Sequence, residues 1–547
     1  MAQEPGLYFG RSAPPAPEHG GRLPVALVFP GSEAFALSSL GWQAVYRLLA
    51  SDNRFAVERF TTGLKDGSAR SLEADRPLSS FPLAAVSLAF EEDVRSLVHI
   101  PLEMGAPVLR PERPDFPLIL VGGPLAFLNP ALLAPFADLL WVGEADDSLA
   151  DLLALLKDHI LAGGSKQAFL EAVAHRPGVY APGYSKAPVR RVVSGRSPHL
   201  CDPAWSCFVS SKAEFKDTFL VEVNRGCPYG CRFCAAGFVY RPPRRAEMSR
   251  LKELVEHAAP LKVGLVGTAL TDWPDLLPFL TWLHARKTKF TLSSVRADGL
   301  TEELVAFLRL AGVRSVTLAL EAPSARLRRA ANKNLDPEAF LAAVTRCARH
   351  GVNHLKMYCI TGWPGETDAD YEELREFLGR INAARAAGFG KKKPDMLITL
   401  SVSCLVPKPF TPMQWAPMAS EGDLEDRLRS IRDMVKPLKA FRFASDGPGA
   451  ARLQGLLSRG GTNLAPLILE AAEIGWKKAL KFWDGDPAAI LDREREQNEP
   501  FPWEVIDAGV SRAVLWREWG RYKKELETPP CPAEGCGECG RCGAEDV

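Results

Sequence analysis

TFLVEVNRGCPYGCRFCAAGF, residues 218–238, joins an apolar run to a glycine-rich loop carrying three cysteines. The first seven residues read as a buried strand. Cys227, Cys231 and Cys234 follow it with the spacing C-x3-C-x2-C. Three thiols are odd for disulfides and one short of a closed tetrahedral metal site. Iron–sulfur clusters are normally held by four thiolates. A [4Fe–4S] cluster held by three leaves one iron open to a small molecule, as a catalytic zinc keeps one open position. Gly226, Pro228 and Gly230 let the backbone wrap tightly enough to aim three thiolates at one cluster. A structural zinc loop is the alternative, but no His or further Cys in 224–246 supplies a fourth ligand.

Working outward, residue 218 begins an alternating series. Its strands are TFLVEVN (218–224), KVGLVG (262–267), FTLSSV (290–295), SVTLALE (315–321), HLKMYCITG (354–362) and MLITLSVSCLVP (396–407). Stretches such as TEELVAFLRLAG (301–312) between them have helical periodicity. Six βα units predict a partial (β/α)6 barrel with its active site at the carboxyl ends of the strands. The cysteine loop directly follows the first strand and so lies at that mouth. Upstream, RLPVALVFP (22–30), VERFT (57–61), LAAVSLAF (83–90), LILVGG (118–123) and LLWVG (139–143) alternate with helical stretches. They predict a parallel, doubly wound, Rossmann-like α/β domain. Ligands of such sheets sit beyond the strand ends, here Pro30-Gly31-Ser32, Ser87, Gly122-Gly123 and Gly143-Glu144. Residues 161–215, rich in Pro, Gly and Ser, read as a connection. Beyond about residue 445 the pattern turns helical and ends in a cysteine-rich tail. The expected division is 1–200, 201–445 and 446–547.

Composition narrows the class. Lys plus Arg is 67 and Asp plus Glu 66, so net charge does not indicate nucleic acid. The N-terminus lacks the layout of a signal peptide. The most apolar stretch, 116–143, contains four prolines, a Gly-Gly and Asp138, which suits a buried strand and short helix better than a membrane span. A cytoplasmic protein without membrane contact is expected. None of the twelve cysteines precedes Cys201, and they cluster. That suits metal or iron–sulfur ligands rather than a disulfide scaffold. The second cluster is CPAEGCGECGRCG (531–543), with Cys531, Cys536, Cys539 and Cys542. Four thiolates can close around an auxiliary [4Fe–4S] cluster or a structural zinc, and spacing does not separate the two. RPPRRAEMSR (241–250) reads first as a solvated basic loop and second as a phosphate contact.

With Phe233 before its last cysteine, the loop resembles the signature of the radical S-adenosylmethionine (SAM) superfamily. Other segments strengthen the resemblance. LSSVRADGL (292–300) is similar to the family's third-strand segment, which implies Ser294 at the ribose and Arg296 at the carboxylate of SAM. LALEAPSARLRRAANK (318–333) puts Glu321 at the end of strand four. CITGWPGET (359–367) resembles the fifth-strand turn, with Gly362 where backbone groups border adenine. VGTALTDWPD (266–275) departs from the family's Gly-Gly-Glu and leaves Thr268 and Asp272 as candidates for the SAM amino group. Long segments at both ends, such as SSLGWQAVYRLLA (38–50) and VGGPLAFLNPALLAPFADLLWVGEADD (121–147), then VPKPFTPMQW (406–415), LLSRGG (456–461) and FPWEVIDAGVSRAVLWREW (501–519), resemble the cobalamin (B12)-binding-domain subfamily.

The resemblance implies an enzyme that cleaves SAM to a 5′-deoxyadenosyl radical, with a low-potential electron donor of the flavodoxin or ferredoxin type. It implies cobalamin beside Gly122 and Gly123, and methyl transfer to, or other modification of, an unactivated carbon. No residue is assigned as catalytic. The Asp-x-His-x-x-Gly loop of the best-known cobalamin modules does not occur, and His99, within a helical run, reads as a partly buried histidine rather than a ligand. The domain then binds cobalamin base-off and His-off, or is an empty scaffold. The alternatives are sulfur insertion into tRNA or rRNA, whose enzymes use a cysteine trio near the N-terminus, and a non-catalytic iron–sulfur electron carrier or binding protein.

Overall fold

The computed structural model describes residues 8–9, 14, 16–62, 69–146, 148–195, 198–200, 202–390, 396–532 and 539. The chain is an α/β protein whose N-terminal part is built on a parallel sheet. Its strands are β1 (Leu23–Phe29), β2 (Phe55–Thr61), β3 (Leu83–Ser87), β4 (Leu118–Gly122), β5 (Leu139–Trp141) and β6 (Val179–Tyr180). They run in the order β2-β1-β3-β4-β5-β6, with only β6 antiparallel to its neighbour. One face packs on helices Leu40–Ala50 and Leu149–Leu161, through Trp42, Tyr46, Leu152 and Leu156. The other packs on helix Val94–Glu103, against which helix Ala465–Ile474 from the far end of the chain is laid. Strands covered on both faces need apolar side chains on both, which is why β1 reads LPVALVF without alternation.

The second series obeys a different rule. β7 (Phe219–Glu222), β8 (Lys262–Val266) and β9 (Lys289–Leu292) form a three-stranded sheet, and β10 (Ser315–Glu321), β11 (His354–Thr361), β12 (Leu397–Cys404) and β13 (Phe441–Ser445) a four-stranded one. All neighbours are parallel, and a bridge from Val295 to Leu318 joins the two sheets. From β10 to β12 the strands alternate buried and accessible residues. Val316, Leu318, Leu355, Met357, Ile398 and Leu400 pack under the helices, while the opposite face is left open. β13 extends the six strands legible in the sequence. Its FRFAS puts Phe441 and Phe443 on the packed face, but two apolar positions in five residues are too short a pattern for periodicity to mark.

The C-terminal region is mostly helical, and small two-stranded sheets tie distant parts of the chain together. Ile506–Asp507 pairs with Val189–Arg190, and Tyr8–Phe9 pairs with Phe208–Val209. Asn129, wholly buried, points its side-chain amide at the carbonyls of Leu457, Ser458 and Gly460 at 3.1, 3.1 and 2.7 Å, closing the end of helix Pro448–Arg459. Nearby, Glu91 accepts from Lys408, Ser458 and Gln454. The conspicuous VPKPFTPMQW and LLSRGG segments are therefore seams between layers. Among the described residues no helix is long and apolar enough to cross a membrane. His99 is exposed on its helix rather than partly buried, and it does not line the cavity described below. Replacing Asn129 by Ala strands three helix-end carbonyls and is expected to cost about 2 kcal/mol, read as a lowered Tm in thermal unfolding.

Candidate functional site

The cysteine loop leaves β7 through a short ladder in which Asn224–Arg225 pairs antiparallel with Arg244–Arg245. Gly226 has φ 81°, and a Cβ there would collide with the Tyr240 carbonyl, so only glycine makes this bend. Thr268 locks the bend: its amide donates to Asn224 Oδ1 at 2.7 Å and its hydroxyl to the Gly226 carbonyl. Behind the loop Arg232 is fully buried. It donates to the Ala330 carbonyl at 2.6 Å, to Glu518 at 2.9 Å and to Thr528 at 2.9 Å. Asn332 donates to the Gly230 carbonyl at 3.1 Å.

Burial pushes the Cys227 thiol up to about 11 and Cys231 up to about 12, and raises Cys234. Several groups oppose this. The Tyr229 backbone acts on Cys227, those of Ala236 and Gly237 act on Cys234, and the Lys333 ammonium acts on all three thiols. Cys227 and Cys231 also feel the charge of Cys234, so the three thiols lie in one electrostatic neighbourhood. Among the described residues no three His, Cys, Asp or Glu side chains form a group able to hold a single metal ion.

Other strand ends converge on this loop. Arg296, past β9, stacks on the Tyr229 ring at 4.0 Å and pairs with Asp298. Glu321 ends β10 at a bulge with φ 68°, uncommon for a residue with a side chain. Its carboxylate meets Lys333 at 3.1 Å. Past β11, Gly362 lies in a turn whose amides, with that of Trp363, are clamped by Glu366 at 3.0–3.1 Å. Phe233 packs edge-on against Trp363 at 5.4 Å. Ser294 is exposed, and the Val295–Leu318 bridge sets it on the open face. Thr268 is spent on holding the loop. Asp272 accepts from Tyr229 at 3.0 Å, while its Oδ2 is buried without a hydrogen-bond partner among the described residues. Lys333 and Tyr229 were missed from sequence because a lone Lys in the loop after helix Ala325–Ala330 and a loop Tyr give no periodic signal.

Gly122 and Gly123 lie elsewhere, in the wall of a cavity of about 390 Å³ between the two sheets. It opens where β1 and β3 diverge, the switch point of this strand order. Leu40, Val45, Ala89 and Phe127 line it from the N-terminal part, Tyr240 and Val266 from the other. Glu144 closes one side. Arg244 holds it at 2.5 Å and Arg225 at 2.7 Å, with Arg191 at 3.7 Å. The basic loop 241–250 is therefore not simply solvated: Arg244 is wholly buried in this pair. Of the tail cysteines, the Cys531 amide donates to the Pro228 carbonyl at 2.8 Å, beside the first loop, and Cys539 is buried. Cys536 and Cys542 lie outside the described residues.

Two family models match this chain. "Radical SAM proteins, N-terminal" covers residues 41–182 and "Radical SAM superfamily" covers 221–378. The chain belongs to the radical SAM superfamily and is a radical SAM enzyme. Membership implies a [4Fe–4S] cluster and SAM. An uncharacterised protein of Methanocaldococcus jannaschii is 28% identical over 72% of this chain and 80% of its own length. The ribosomal protein uS12 methylthiotransferase RimO of a Nocardioides species is 24% identical over 56% of this chain and 66% of its own. Among solved structures, the cobalamin-dependent SAM radical enzyme OxsB with aqua-cobalamin and SAM bound is similar, with TM-score 0.45 and 14% identity. The match covers 79% of this chain and 60% of that one, so this chain spans less than two thirds of its length.

Burial pushes the Glu144 carboxyl up, but Arg244, Arg225 and Arg191 outweigh it and bring it down to about 2. A carboxylate with a folded pKa below its unfolded value contributes stability that is present above about pH 4.5 and lost as pH falls towards 2. Between pH 6 and pH 3 the enzyme is expected to lose about 2 kcal/mol more than its Glu144→Gln variant. Chemical denaturation at the two pH values measures it.

Proposed function

We propose that Cys227, Cys231 and Cys234 hold the [4Fe–4S] cluster, that the surrounding strand ends hold SAM, and that cobalamin occupies the cavity between the sheets. The outcome is modification of an unactivated carbon, methyl transfer foremost. The observation that carries this is three half-buried cysteines on one hydrogen-bonded loop, ringed by the ends of β9, β10 and β11. The donor set fits: the backbone of Tyr229, Ala236 and Gly237 favours the thiolate forms, and hydrogen bonds to sulfur are what tune such clusters.

When bound, cluster and SAM together supply a 5′-deoxyadenosyl radical from one electron of a low-potential donor. The protein's part is binding and aim. Arg296, steadied by Tyr229, is suited to the SAM carboxylate. Asp272, with one buried oxygen lacking a partner among the described residues, is suited to its ammonium. Ser294 is the candidate for the ribose, and the backbone of the Gly362–Trp363 turn, fixed by Glu366, for adenine. Lys333 holds Glu321 at the rim and places a positive charge beside the thiolates. Phe233 and Trp363 exclude water on one side.

The lining of the cavity suits one side of a flat, apolar macrocycle edged with amides, the rest of which would extend past its mouth. That lining is largely aliphatic, Gly122 and Gly123 leave backbone bare, and Glu144, Asp146 and Arg225 offer polar groups at the rim. Gly123 has φ 93°, and a Cβ there would collide with the Leu88 carbonyl. Among the described residues the lining contains no His, so cobalamin held here would be His-off. The tail cysteines are assigned to an auxiliary [4Fe–4S] cluster or a zinc.

Anaerobic reconstitution tests both parts. The triple variant Cys227→Ala, Cys231→Ala, Cys234→Ala is expected to release no 5′-deoxyadenosine on addition of SAM and reductant, whereas the native chain does; cleavage by the variant would end the assignment. Ala89→Trp, which fills the cavity from an accessible position, is expected to lower retained cobalamin at least tenfold while iron content stays constant. Equal cobalamin in both proteins would remove it from this cavity.

A further inference from the structure

The open face of the barrel carries charge in an unusual place. Thr317, Lys356, Thr399 and Arg442 stand in one cross-strand row, because Thr317 pairs with Lys356, Lys356 with Thr399 and Thr399 with Arg442. All four are on the face turned away from the helices, and both cations are exposed there. Neighbouring strands lie about 4.8 Å apart, so Lys356 and Arg442 leave β11 and β13 about 10 Å from each other with Thr399 between them. Among the described residues neither cation has an ion pair or a hydrogen bond. The acid on this face towards the mouth, Glu321, is held by Lys333. His354, two residues before Lys356 on the same face, is 2.9 Å from the Thr399 hydroxyl, so that hydroxyl is oriented within the row. Burial lowers the pKa of His354, and the charges of Lys356 and Arg442 lower it further, which puts the three groups in one electrostatic neighbourhood.

Two residues nearer the mouth the same face changes character. Tyr358, 44% exposed, stands between Ala319 and Ser401 in the next accessible row. One residue further, Glu321 pairs with Cys359 across the bulge. From Lys356 to that level is about 10 Å along the strand. The face thus runs from two cations and two hydroxyls, past one aromatic ring, to the rim beneath the cysteine loop.

We propose that the substrate is an oxyanion-bearing molecule, whose carboxylate or phosphate is bound by Lys356, Arg442 and Thr399, with its body against Tyr358 and its reacting carbon at the mouth. Two cations flanking a hydroxyl suit a group with several acceptor oxygens. The inference rests on the barrel being the reaction chamber, as proposed above.

The test reads binding and not turnover, so its failure is separate from a failure to cleave SAM. The reconstituted full-length enzyme is titrated calorimetrically with inorganic phosphate and, separately, with succinate, each with and without saturating SAM. At least one anion is expected to bind with SAM present. Lys356→Met/Arg442→Met is expected to weaken it at least tenfold, and Lys356→Arg/Arg442→Lys to keep it within about threefold, as one charge is swapped for another. The anion that binds distinguishes a phosphorylated from a carboxylated substrate. Equal binding by native and Met variants, binding by neither anion, or binding abolished by SAM would overturn the proposal, the last by giving these cations to the cofactor.

Discussion

One buried guanidinium holds the chemistry in place. Arg232 sits inside the cysteine loop, between Cys231 and Cys234, and binds a helix-end carbonyl at Ala330, a carboxylate at Glu518 and a hydroxyl at Thr528. A buried charge is tolerated only when it is paired and hydrogen-bonded, and removing one partner leaves the other uncompensated. The loop therefore keeps its shape only when the segment after β10 and helix Arg512–Lys523 are both in position. Tying three thiols to such distant segments makes the proposed cluster binding a property of the whole fold.

Glu144 does the same for the two sheets. It leaves the carboxyl end of β5 and meets Arg225 and Arg244 on the ladder from which the cysteine loop springs. The inter-sheet cavity and the cysteine loop are thus two sides of one ladder. That shared wall gives a physical reason for a cofactor in the first to be held in fixed geometry to the second.

Much of this was legible in the sequence. The three-cysteine spacing located the loop, and the strand-end segments after it named Arg296, Glu321 and Gly362, which fold around it. Gly122 and Gly123 were read as a strand end and line the inter-sheet cavity. The rest was hidden for reasons of range. Arg232 and Glu518 are nearly three hundred residues apart, and nothing local marks either as buried. RPPRRAEMSR looked solvated because its partner, Glu144, comes from another sheet. Lys356 and Arg442 declare themselves only once the strand register puts them in one row, and β13 was too short for periodicity to find.

The central claim is that three thiolates leave one iron for SAM. Electron–nuclear double resonance on the reduced, reconstituted enzyme, with SAM labelled with ¹⁷O in its carboxylate or ¹⁵N in its amino group, tests it most directly. A hyperfine coupling from both labels to the cluster spin, lost when Cys227, Cys231 and Cys234 are replaced, is the expected result. A spectrum that labelled SAM leaves unchanged would contradict it.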